Sequence, residues 1–126
     1  MEEIHTDAAP ASIGPFSQGI RDGDRIFVSG QGPVDPDSGE VVSGDIREQT
    51  ARTLENVGAI LEAGGSSLDA VVKSTVFVTD MSNYDAVNDV YADYVSDPYP
   101  ARSAVEVDDH PIDISGEIGV IATTDL

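Results

Sequence analysis

The chain has 126 residues, 40% of them hydrophobic, which suits one domain able to bury roughly two thirds of its unfolded surface. Its 24 Asp and Glu against 6 Lys and Arg give a formal charge of −18, which excludes the basic footprint of non-specific nucleic-acid binding and a cationic membrane-surface helix. The absence of cysteine excludes disulfides, thiol nucleophiles and thiolate metal sites, and no apolar run approaches a bilayer span.

Met1-Glu2-Glu3 lacks the charged-then-apolar order of a signal peptide, so a cytoplasmic domain is expected. The first dozen residues, with Pro10, read as a lead-in. Gly14-Pro15 punctuates the chain before a strand at about 16–21, and Asp22-Gly23-Asp24 forms a tight turn into a second strand, Arg25 to Ser29. A turn at 35–39 leads to a short extended piece at 40–42. Asp45 and Glu48 have the spacing of a capping box. The helix that follows carries Leu54, Val57, Gly58 and Leu61 on one face and stops at Gly64-Gly65. Residues 69–80 form an apolar strand that expects cover on both faces. Ser82 with Asp85 caps a second helix whose stripe is Tyr84, Val87, Tyr91 and Tyr94, ended by Pro98 and Pro100. Two strands, about 101–107 and 115–123, close the chain. The order ββ(β)αβαββ describes a two-layer α/β sandwich, a mixed sheet with two helices on one face. The other sheet face then needs a cover, and a homo-oligomer is expected to supply it.

Sixteen of the acids are Asp, spread through every segment, and Lys73 is the only lysine. Such a surface repels itself until salt screens it, so the composition points to a halophilic cytoplasm.

Few residues stand out as chemical. No phosphate loop or dinucleotide fingerprint is present. His5 and His110 are isolated and read as solvated loop residues rather than metal ligands, and Asp108-Asp109 as a charged turn. Neither Ser29 nor Ser103 has a histidine close in sequence to serve as base. Arg21, Arg25, Arg47 and Arg52 lie among acids and read as exposed ion-pair partners. Arg102 is different, because it lies just inside a strand in an apolar stretch. It is either a strand-edge arginine paired with an acid or a fixed guanidinium that grips a substrate carboxylate. Glu117, inside the last strand among Ser115, Gly116 and Gly119, is either solvated or set to position water and move a proton.

At these residues the sequence resembles the RidA (YjgF) family of reactive-intermediate deaminases over nearly its whole length. The matching stretches are Ile13-Gly14-Pro15-Phe16-Ser17-Gln18-Gly19, Val28-Ser29-Gly30-Gln31, Val72-Lys73-Ser74-Thr75-Val76-Phe77, Val87-Asn88 and Tyr99-Pro100-Ala101-Arg102-Ser103, with Glu117 in the terminal strand. The resemblance implies a chorismate-mutase-like α/β sandwich assembled as a homotrimer with sites between subunits. It implies cofactor-independent hydrolysis of enamines and imines such as 2-aminoacrylate and 2-iminobutanoate to 2-oxo acids and ammonia. Arg102 would hold the carboxylate and Glu117 would direct water. Ser29 and Asn88 would donate hydrogen bonds, and the Gly30 backbone and Phe16 would line the pocket. Phe16 in place of the usual tyrosine, and Gly119 in place of a second acid, bear on substrate preference and rate. The alternative is a non-catalytic trimer that binds small carboxylates or 2-oxo acids and acts through partners. Ribonuclease action fits poorly with a charge of −18 facing a polyanion.

Overall fold

A computed structural model describes residues 1–125. Six strands form one mixed sheet: β1 Glu2–Ile4, β2 Gly19–Asp22, β3 Arg25–Gln31, β4 Val71–Val78, β5 Ala101–Glu106 and β6 Gly116–Thr123, in the spatial order β1-β2-β3-β6-β4-β5. Only β4 and β5 run parallel. Two helices, α1 Ile46–Ala63 and α2 Tyr84–Tyr94, cover one face. The expected sandwich is present, with two adjustments. The lead-in is not loose: Glu2–Ile4 pairs with β2, and the side-chain amide of buried Gln18 donates to the carbonyls of Thr6, Ala9 and Pro10. The extended piece near residue 41 makes only a single bridge, Val34 to Val41.

Local chemistry sets the element ends. Asp45 caps α1, its carboxylate accepting from the Glu48 N–H at 3.0 Å. Before α2 the cap is Asp80 rather than Ser82. Asp80 accepts from the Ser82 N–H at 2.9 Å and heads a single 3₁₀ turn that runs into the helix. The Ser82 hydroxyl and N–H together hold the Asp80 carboxyl below the usual carboxylate range. Asp35, which closes the turn after β3, is lowered in the same way by the N–H groups of Ser38 and Asp37.

The core lies between α1 and the sheet. Leu54, Val57, Ile60 and Leu61 pack on Ile26, Val28, Ile118, Val120 and Ala122, all buried. Each such aliphatic side chain contributes about 1.5–3 kcal/mol on removal from water. Asn56 is the polar member of this layer. Fully buried, it donates from Nδ2 to the carbonyls of Gly32 and Val34 at 3.0 and 2.9 Å, and its Oδ1 accepts from Arg52 at 2.8 Å. One helix residue thus fixes the loop leaving β3.

Strand alternation puts the remaining side chains on the helix-free face. Phe27, Ile121, Lys73 and Ala101 form one cross-strand row. Gly119, Thr75 and Ser103 form the next, followed by Glu117, Phe77 and Val105. The expectation that β4 is covered on both sides fails within one chain: Val72 is exposed, while Phe77 and Thr75 are only half-buried. Phe27 remains 45% exposed and Val105 41%.

A bulge interrupts β3. Val28 pairs with Val120 and Gln31 with Ile118, so Ser29 and Gly30 together oppose Gly119. A Cβ at position 119 would come within 3.3 Å of the Val28 carbonyl, so glycine there lets the bulge settle against β6. The bulge brings the Gly30 backbone next to the Glu117 carboxylate.

Candidate active site

Arg102 occupies the edge strand β5, beside Ser74, and points to the helix face. The α2 residues Tyr84, Asn88 and Tyr91 are spaced so that all three meet it. Nη2 donates to the Tyr84 hydroxyl at 2.9 Å and to Asn88 Oδ1 at 2.7 Å. The guanidinium carbon lies 4.8 Å from the centre of the Tyr91 ring and 5.4 Å from that of Tyr84. Tyr91 is itself tied to the buried Ser74 hydroxyl at 2.6 Å. The fork is held in place from one side. Among the described residues, Nη1 and Nε have no hydrogen-bond partner and no carboxylate pairs with Arg102, although Arg25, Arg47 and Arg52 each pair with one. Of the two readings open in the sequence, the acid-paired edge arginine is therefore not what the fold contains. A guanidinium left unpaired among so many acids is free for a ligand carboxylate.

Glu117 projects from the opposite face. It pairs laterally with Phe77, three residues along β4 from Ser74, and strand alternation turns it away from the helices. Its carboxylate lies against Gly30, where any Cβ would collide with it. Its Oε2 is 3.6 Å from His110 Nδ1. Arg102 and Glu117 therefore do not face each other within one chain.

The other candidates divide between these two groups. Asn88 belongs with Arg102, but as an acceptor that orients it rather than as a donor to substrate. Gly30 and Ser29 belong with Glu117. The Ser29 hydroxyl donates to the Ser17 carbonyl at 2.6 Å, and its N–H to Gln18 O at 2.9 Å, so the expected free donor is already engaged. Phe16 stands 53% exposed on the segment leading into β2, in a tight turn whose N–H reaches back to Gly14 O.

Sequence reasoning missed three participants. Tyr84 and Tyr91 are read in the sequence only as part of the α2 stripe, where Tyr91 does lie in the core; their contact with Arg102 is signalled by their spacing around Asn88, which aligns three polar tips. His110 was assigned to a solvated loop, yet its side chain is only 5% exposed and sits against Glu117. His5 does remain on the surface, 3.4 Å from Asp7. Among the described residues no cluster of three metal-ligating side chains occurs, and no helix is long and apolar enough to cross a membrane.

A mixed six-stranded sheet with both helices on one side, an anchored but unpaired arginine at its edge, and a carboxylate against a glycine bulge define a two-layer α/β sandwich. The family model described as Endoribonuclease L-PSP matches residues 6–124. A RutC family protein of Pyrococcus abyssi is 50% identical over 121 residues, covering 96% of this chain and 95% of that one. Reactive Intermediate Deaminase A of Arabidopsis thaliana, a chloroplast protein, is 39% identical over 122 residues, covering 97% of this chain and 65% of its own. Among solved structures, Escherichia coli TdcF with bound serine superposes with a TM-score of 0.92 at 40% identity, covering 98% of each chain. The chain belongs to the RidA (YjgF) family. Membership supports, in general terms, an enzyme acting on reactive intermediates.

Proposed function

We propose that the protein is a cofactor-independent hydrolase of 2-aminoacrylate and 2-iminobutanoate, acting as a homotrimer whose sites form between subunits. The observation that carries this reading is Arg102, oriented by Tyr84, Asn88 and Tyr91 and left without an acidic partner in a chain of 24 acids. A small 2-imino acid presents a carboxylate matched to the open side of that fork. The exposed apolar residues Phe27 and Val105 on the helix-free face favour association with further copies. The position of Arg102 on an edge strand lets it meet the Glu117 of a neighbouring copy.

In that arrangement the chemistry is modest. 2-Aminoacrylate first tautomerises to 2-iminopropanoate, a proton leaving nitrogen as one is gained at C3. The imine carbon of either substrate is then electrophilic, so fixing it beside a water is most of the task. Arg102 holds the carboxylate. Glu117 accepts a proton from the attacking water as its oxygen bonds to the imine carbon. That proton passes to the imine nitrogen to give a carbinolamine. The carbinolamine hydroxyl then loses its own proton through Glu117 to the nitrogen as the carbon–nitrogen bond breaks and the carbonyl forms, leaving ammonia and a 2-oxo acid. Gly30, without a side chain, leaves Glu117 and the ligand room to approach the β3 backbone.

The test is to generate 2-aminoacrylate with a serine dehydratase in high salt and to follow pyruvate release. Acceleration by the wild-type protein that disappears in Arg102→Ala and Glu117→Ala is expected. No acceleration, or full acceleration by Arg102→Ala, refutes the reading. Retention of 2-oxo acid binding by a protein without turnover would favour the non-catalytic carboxylate-binding module, which needs Arg102 but not Glu117.

A further inference from the structure

We infer that His110 is a positioning residue for Glu117, forming with it a buried His–carboxylate pair that aims the carboxylate at the reacting water. The inference rests on the deaminase reading above and concerns the same site. Three observations carry it. His110 Nδ1 lies 3.6 Å from Glu117 Oε2, close enough to become a charge-assisted hydrogen bond with a small side-chain rotation. The imidazole is 5% exposed while the carboxylate is 28% exposed, so the pair has a protein-facing half and a solvent-facing half. The other ring nitrogen, Nε2, is buried and has no hydrogen-bond partner among the described residues.

Together these set the role of the ring. A buried polar atom without a partner carries a desolvation cost, and a loop histidine free to move would turn Nε2 outward. It nonetheless stays inside, with the ring beside Glu117. The His110 N–H donates to Asp109 Oδ1 at 2.8 Å. With Nδ1–H directed at Oε2, the second carboxylate oxygen, Oε1, is left at the Gly30 bulge. That oxygen is the one available to take a proton from water. His110 itself transfers no proton in this scheme. It restricts the carboxylate to one rotamer, as an orienting residue does for a general base.

The test uses two variants and two readouts. His110→Leu removes the N–H while keeping an apolar side chain of similar size; His110→Asn retains a donor near the position of Nδ1. In the dehydratase-coupled assay His110→Leu should lower kcat roughly ten- to a hundredfold, the scale of one hydrogen bond to a charged group, with KM within about twofold. His110→Asn should recover most of that loss. An unchanged kcat in His110→Leu, or an equal loss in both variants, overturns the role. The second readout needs no activity. The chain has two histidines, so long-range ¹H–¹⁵N spectra of the intact protein contain two imidazole systems. Glu117→Gln should move the ring nitrogens of His110 and leave those of His5 in place. A His110 signal indifferent to Glu117→Gln overturns the pairing, even where deamination is present. A wild-type protein without deaminase activity refutes the deaminase reading, and the spectra then still decide whether the pair exists.

Discussion

Replacing Gly30 by alanine separates the chemistry of the site from the stability of the fold. Gly30 is solvent-exposed and is not among the glycines with positive φ, so the backbone accepts a Cβ without strain. The added methyl would overlap the Glu117 carboxylate and stand 2.9 Å from its Cγ. The flexible acid must therefore turn away, which costs about 1 kcal/mol for an off-rotamer side chain and lowers the melting temperature only slightly. Catalysis responds far more, because displacing a reacting group by about 1 Å costs on the order of a hundredfold. The assay is pyruvate release from enzymatically generated 2-aminoacrylate, paired with a thermal melt of the same sample. The expected outcome is a kcat lowered roughly a hundredfold with a melting shift of a few degrees at most. Turnover at the wild-type rate in a folded Gly30→Ala protein would show that Glu117 does not act from the bulge.

Three further outcomes follow from the fold. Asn56→Ala removes the amide that satisfies the Gly32 and Val34 carbonyls in a fully buried position, so a loss of about 2–4 kcal/mol and a melting temperature roughly 10 °C lower are expected. Asp80→Ala removes the acceptor of the Ser82 N–H. The folded protein holds this carboxyl below its ordinary range, so its stabilisation is present above that range and is lost as pH falls through the lowered value. Melting curves of wild type and Asp80→Ala should differ near neutrality and converge in acid; a gap that widens in acid contradicts the assignment. Finally, 24 acids against 6 bases should make the protein less stable in dilute buffer than in molar salt, where the screening length falls to about 3 Å. Circular dichroism during stepwise dialysis tests this, and a signal and melting point constant across the series would count against salt adaptation.

The architecture was legible because local rules agreed with one another. The α1 stripe of Leu54, Val57 and Leu61 and its Asp45 cap come from period and spacing alone. What escaped was tertiary. Glu2–Ile4 is too short and too acidic to announce a strand; it is held by pairing with β2, and the residues after it by the Gln18 amide, whose partners Thr6, Ala9 and Pro10 lie 8 to 12 residues away in sequence. Arg102 and Glu117 stand out in the sequence by their strand context, but which sheet face each takes depends on register with β4. A single-residue shift there reverses the answer. The expectation that they meet therefore carried no information about whether they do so within one chain. His110 looked solvated because it follows two aspartates, and only the return of the chain into β6 brings it against Glu117.

The account turns on a site completed by two copies of the chain, since one copy carries the guanidinium and the carboxylate on opposite sides of its sheet. Mixing Arg102→Ala with Glu117→Ala subunits, unfolding them together and refolding them in high salt measures this directly. Random pairing of equal amounts joins an intact Arg102 to an intact Glu117 in one arrangement of four, so about a quarter of wild-type deaminase activity should return from two inactive parents. A mixture as inactive as its parents, alongside an active wild type refolded in the same way, would contradict it.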